Sequence, residues 1–359
     1  MSYALGFRRL GHEVLFVEQI APSACVDRLG QPIAFTESHN AQVFQQVMRR
    51  FGFWGSSGLL LEDGSESVGL SLDQLRERAR GADLLVNISG HMKLEALVEE
   101  VPITAFVDQD PGFTQIWHAS GDACLAKHDY YFTIGENVGR QGCLIPLGGL
   151  PWRATRQPVV LEEWPTVHSE YNRRFTTIAN WRGPYGALEY QGQTYGLKVH
   201  EFRKFLELPT RVAVDLELAL DIDPADGEDL KALEKNGWAV KRPEGVVGSP
   251  ESFRDYIRAS DAEFSVAQGV YVGTKSGWFS DRSVRYLACG KPVVVQDTGF
   301  SDHYPVGEGI LAFQSLDDAV AAVEEVDRRY QRHATVAREL AEEWFDSDKV
   351  LTEMLDQIS

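Results

Sequence analysis

The chain has few cysteines, a deficit of basic charge and no long apolar run, and each shortage argues against a class of protein. Its 359 residues include four cysteines, Cys25, Cys124, Cys143 and Cys289, which lie far apart or in apolar runs. Without a C-x-x-C pair, neither a disulfide framework nor a zinc site is suggested. Acidic residues outnumber basic ones, 53 to 35, for a formal net charge of −18. That balance argues against a general nucleic-acid or anionic-membrane surface, while leaving room for a small basic pocket. No stretch approaches the roughly 18 apolar residues of a membrane helix, and no signal peptide opens the chain. The expected location is therefore cytoplasmic. What is present is ample apolar material, 43% of residues, and a length that points to about two domains.

Strand-like and helix-like runs alternate almost throughout, the pattern of parallel α/β sheets. In the first half, strands are expected at Glu13–Glu18, Asp83–Ile88, Ile103–Asp108, Tyr130–Ile134 and Cys143–Pro146. Helices are expected at Ser38–Phe51, Ser71–Arg80, His91–Glu100 and Phe113–Ser120. Pro146 to Pro165 holds further prolines, glycines and tryptophans and reads as an irregular connection. The rhythm then restarts. Strands are expected at Phe175–Asn180, Arg211–Val214, Gly237–Val240, Ala262–Ala267, Pro292–Gln296 and Ile310–Phe313. Helices are expected at Tyr195–Leu206, Gly227–Asn236, Ser249–Ala259, Asp281–Cys289, Ser315–Tyr330 and Asp348–Ile358.

The implied architecture is two doubly wound Rossmann-like domains facing a cleft, with ligands beyond the carboxyl ends of the strands. The division is expected at residues 1–155 and 156–345, with 346–359 a last helix that packs back on the first domain. Met1–Leu10 reads as the first helix, and Gly11-His12-Glu13 turns into what is usually the second strand. The first domain thus lacks its usual first strand, by a missing element or a start upstream of Met1; a late start or truncation is the preferred reading.

The most informative stretch runs from Gly273 to Pro305. A loop, Gly273 to Gly277, leads into a helix that Ser280 can cap ahead of Asp281. Gly290 and Pro292 end that helix, and Val293, Val294 and Val295 read as a strand buried on both faces. A helix start of this kind offers unpaired N–H groups and a positive dipole end to a phosphate. The same features also describe one αβ unit of any α/β protein. Gly269 to Ser276 does not have the spacing of a P-loop.

Ser276-Gly277-Trp278-Phe279-Ser280-Asp281-Arg282-Ser283, followed by Leu287-Ala288-Cys289-Gly290-Lys291-Pro292-Val293-Val294, resembles GT-B-fold glycosyltransferases of the group 1 kind. Leu10-Gly11-His12-Glu13-Val14 also resembles that family's passage from first helix to second strand. The resemblance is loose over the whole chain and good over roughly residues 262–330. It implies a metal-independent, hexosyltransferase-like enzyme without a cofactor. A UDP-, GDP- or dTDP-sugar would bind the second domain, and a hydroxyl acceptor the first. Many retaining relatives carry a spaced pair of glutamates here; aligned on Cys289-Gly290-Lys291-Pro292, those positions are Gly277 and Arg285. This departure puts their sugar and ribose contacts, and a retaining outcome, in doubt. A sugar-nucleotide epimerase of the same fold, or a non-catalytic nucleotide-sugar-binding protein, are the alternatives.

Stabilising a leaving diphosphate without a metal takes cations and oriented N–H groups. By resemblance, Arg182 sits at a diphosphate position; otherwise it is an exposed loop cation. Lys198 is a second candidate, against the plainer reading of a surface lysine. Lys275 and Ser276 precede the helix. Ser280 and Ser283 can donate hydroxyls to phosphate, although Ser280 also reads as a cap. Arg282 pairs either with phosphate or with Asp281. Asp297 and Gly299 follow the buried strand and face the donor sugar by resemblance; Asp297 reads equally as a turn residue. A base for the acceptor proton is sought at strand ends. His91 is the first choice, Asp110 the second and Asp108 the third, each against a capping or strand-end role.

Overall fold

The computed structural model describes residues 1–121, 125, 127–167, 170–183 and 185–358; Cys124 lies outside them. The second half is one parallel sheet. Its strands are β8 (Arg174–Asn180), β11 (Asp215–Asp221), β12 (Ala239–Lys241), β13 (Ala262–Ser265), β14 (Val293–Gln296) and β15 (Ile310–Phe313), arranged β12-β11-β8-β13-β14-β15. The order reverses between β8 and β13, so a crevice opens at their carboxyl ends. Apolar runs buried on both faces explain the central strands: Val293, Val294 and Val295 are all buried.

The first half is split. β1 (Phe16–Ile20), β2 (Ser57–Leu61) and β3 (Ser67–Gly69) form one sheet; β4 (Leu85–Ile88), β5 (Thr104–Asp108), β6 (Tyr130–Thr133) and β7 (Trp152–Ala154) form another. Both are parallel except for the β2–β3 pair. In a doubly wound order the first strand would lie between β1 and β4, and that is where the two sheets part.

Several boundaries differ from the sequence reading. Cys143–Pro146 is irregular, and the strand expected at Arg211–Val214 is Asp215–Asp221. The helix expected from His91 shrinks to Glu95–Val98. The run expected as one helix to Tyr330 breaks at Arg329, and a second helix follows at Tyr330–Leu340. Gly269–Thr274 is a short helix rather than part of a loop. An unforeseen hairpin, β9 (Leu188–Tyr190) with β10 (Gln193–Tyr195), turns at Gln191 and Gly192. Both turn residues have positive φ, as a two-residue primed turn requires.

The end of the chain returns to the first half. Helix Ser347–Asp356 lays Leu351 and Met354 against Ala105, Val107 and Phe132. It also packs on helix Ser2–Arg9, where a Cβ on Gly6 would lie 2.5 Å from Leu351. Glycine at position 6 therefore favours the close approach of these two helices, since a larger residue would require Leu351 to shift.

Candidate functional site

The carboxyl ends of β4, β5 and β6 face those of β8, β13 and β14, and the loops between them meet along a seam. Backbone hydrogen bonds cross it: Asn137 N–H donates to Ser276 C=O at 3.1 Å and Leu144 N–H to Thr274 C=O at 3.0 Å. The Asn137 side-chain amide donates to the carbonyls of Lys275 and Gly299, and its oxygen meets His303 Nε2 at 2.7 Å. The Tyr304 hydroxyl donates to the buried Glu136. Beside this polar seam lies an apolar one. Phe113 and Ile116 pack with Leu188, Tyr195, Val270 and Tyr271. The hairpin is thus a brace between the two halves.

The seam decides the fate of several candidates. Gly277 has φ +75°, and a Cβ there would stand 2.8 Å from Asn137 N, so it is sealed beneath the first half. A Cβ on Gly299 would meet the Asn137 amide at 2.5 Å. Ser276 is buried, with its hydroxyl bonded to Tyr271 C=O and Trp278 N–H. Lys275 is exposed at the left-handed end of its short helix. Asp297 accepts from Gly299 N–H, the Ser301 hydroxyl and Gln314, which is a turn residue's work.

At the start of helix Asp281–Ala288, Ser280 caps by accepting from Arg282 N–H at 3.2 Å. The Arg282 side chain is hydrogen-bonded within the second half. Its guanidinium donates to Glu263 at 2.6 Å, Ser265 Oγ at 2.6 Å and Ile178 C=O at 2.6 Å. Asp281 instead pairs with Arg285 one turn on. Burial pushes the Asp281 carboxyl up, but Arg285 and Arg282 overcome this and hold it below the usual carboxylate range. Arg285 is therefore half of an ion pair within the helix.

Two buried polar atoms around this helix have no hydrogen-bond partner among the described residues. Ser283 is buried with its Oγ unbonded, and Glu263, fully buried, has Oε2 unbonded. Ser283 and Ser280 line a small cavity with Ser265, Trp278 and Gln296. Lys198 begins helix Lys198–Phe202, within electrostatic reach of Arg282 and Glu263. Burial lowers its ammonium to about 7, with the Arg282 charge adding to the effect and Glu263 opposing it. A lysine held beside an arginine, at a sheet switch point, is a place where an incoming anion relieves a cost. Arg182 lies at the end of β8, half exposed, and is held by Asp226.

The first-half candidates separate clearly. Asp108 is fully buried and accepts from Thr114, Gln115 and Thr133 side chains at 2.6, 2.8 and 2.7 Å, and from Asp110 N–H. It organises the loop after β5 and is closed to an acceptor. His91 is exposed on a turn after β4, ahead of the nearest helix. Asp110 is partly open and accepts from the Tyr271 hydroxyl at 2.8 Å. Burial raises its carboxyl; Tyr271 and His91 pull the other way, and Asp281 adds to the rise. Asp110 thus faces second-half groups across the cleft. Among the described residues, no group of three or more His, Cys, Asp or Glu is arranged to hold a metal ion. No helix of the described residues is long and apolar enough to cross a membrane.

Comparison with known proteins agrees with this arrangement. Residues 234–356, which include the Asp281 helix and the strands around it, match the family described as Glycosyl transferase-like. An alpha-glucosyltransferase (AGT) solved with UDP superposes with a TM-score of 0.54 at 10% identity, covering 99% of this chain and 94% of that one. The likeness shows that this chain has a GT-B-like fold. The Anabaena protein HepE, solved with UDP-glucose, also superposes, with a TM-score of 0.54 at 12% identity, over 88% of this chain and 89% of that one. No curated protein matches by sequence. Within the GT-B frame, Glu263, Tyr271, Glu136 and Asn137 are the site-forming residues that sequence reasoning missed. One signal was readable: a glutamate inside the apolar strand Ala262-Glu263-Phe264-Ser265 demands a buried partner.

Proposed function

We propose that this chain transfers a sugar from a nucleotide diphosphate sugar to a hydroxyl acceptor. The donor lies on the second half, residues 156–345, and the acceptor on the first, residues 1–155. UDP-sugars are the first donors to test, because HepE and AGT were solved with UDP-glucose and UDP. The observation that carries the reading is the buried, unbonded Ser283 Oγ, which lines a small cavity at the start of the Asp281 helix, with the Lys198 and Arg282 charges within electrostatic reach of one another. Lys198 and the N–H groups at the start of the Asp281 helix offset the charge that gathers on the leaving diphosphate.

Asp110 takes the proton from the attacking hydroxyl. It is the open carboxylate on the acceptor side, whereas Asp108 is enclosed. The raised carboxyl is suited to proton transfer nearer neutral pH than an ordinary aspartate. Isothermal titration of the full chain with UDP-, GDP- and dTDP-glucose tests the donor half of the proposal. Binding to at least one is expected; a folded sample that binds none would overturn it.

A further inference from the structure

The loop after β8 does more than carry Arg182. Tyr185 crosses from the second half and lays its ring against first-half aromatics, 4.7 Å from Trp117 and 5.4 Å from Phe113 between centroids. Phe113 in turn meets Tyr271 edge-on at 6.1 Å, and the Tyr271 hydroxyl is bonded to Asp110. The Tyr185 phenol is raised by burial and by the Asp110 charge, which puts it within electrostatic reach of that carboxylate. Yet Tyr185 is 44% exposed. A large ring is therefore fixed on one side by two aromatic neighbours and left open on the other, beside the proposed proton acceptor.

We propose that the open face of Tyr185, braced edge-on by Trp117, forms a stacking platform for a sugar ring, so that the hydroxyl acceptor is itself a saccharide. This rests on the reading of Asp110 as the base. A pyranose has an apolar C–H face and a rim of hydroxyls. The platform offers an aromatic surface already immobilised by its neighbours, which lowers the ordering cost of binding. Its rim is offered the partly open Asp110 and the exposed His91, a polar pair suited to a polyhydroxylated edge. An alkyl alcohol would leave those polar groups unanswered.

The test uses the full chain loaded with UDP and the methyl glycosides of glucose, galactose and N-acetylglucosamine, observed by saturation-transfer NMR. Saturation on the ring C–H protons of at least one glycoside is expected. Tyr185→Ala weakens that binding by about three- to tenfold, Tyr185→Phe retains it, and UDP affinity is the same in all three proteins. If the glycosides fail to bind a sample that binds UDP, or bind Tyr185→Ala as well as the parent, the platform is overturned while the donor reading stands. If UDP itself does not bind, the donor reading fails first. Octanol and a serine peptide serve as competing acceptors; their binding in place of every glycoside would equally overturn the proposal. Circular dichroism melting confirms that each variant is folded.

Discussion

Replacing Lys198 with methionine removes the charge while keeping most of the apolar stem. In the parent, burial and Arg282 set the ammonium near 7. A bound diphosphate adds negative charge beside it and raises that value. The bound protein therefore carries more protons than the free protein between about 7 and the higher bound value. Linkage then makes donor affinity highest below 7 and weaker as pH rises through this window. UDP-glucose is the right titrant, because its diphosphate stays fully ionised from pH 6 to 9. From pH 6 to pH 8 the affinity of the parent should fall about tenfold, the change expected when a group titrates one unit below the assay pH. At pH 6 the methionine variant should bind about 10- to 100-fold more weakly, the worth of a charge-assisted hydrogen bond of ~1.5–3 kcal/mol. Its pH slope should vanish. Calorimetry in two buffers of different ionisation enthalpy would also count about half a proton taken up at pH 7. A variant that binds within twofold of the parent and keeps its pH slope would refute the assignment of Lys198 to the donor site.

Three further outcomes follow from particular contacts. Asp110→Asn should cut turnover by about 10²- to 10⁴-fold with donor affinity unchanged, and the parent's rate should fall as pH drops through a carboxyl raised above the ordinary aspartate value; an unchanged rate in steady-state assays would remove Asp110 as the base. Glu263→Ala strands the Arg282 guanidinium, its neighbour at 2.6 Å, and should cost about 3–5 kcal/mol in denaturant unfolding; a loss under 1 kcal/mol would show that the pair is not structural. Tyr304→Phe deprives the buried Glu136 of its phenol donor and should cost about 1–3 kcal/mol, read as a lower Tm, whereas an unchanged Tm would mean that the seam between the halves does not depend on this bond.

The sequence by itself determined the alternation of strands and helices, because burial on two sheet faces needs apolar runs of strand length. Ile310–Phe313 and the helix beginning at Asp281 are legible for that reason, the latter through its Ser280 cap. Local signals placed Asp110 past a strand end, ahead of Asp108 in order of choice, and Lys198 near a helix start, but could not show which of these groups, or Arg282, is free for a ligand. That depends on what each side chain meets across the fold. Asp108 meets four donors from β6, the loop after β5 and the helix Phe113–Ser120, and Arg282 meets Glu263 on a neighbouring strand. Gly277 reads as part of an open loop, yet Asn137, far away in sequence, closes it. Partners this distant leave no periodic trace in the chain. Only the tertiary structure could decide which polar groups are spent on holding the two halves together and which remain free for a ligand.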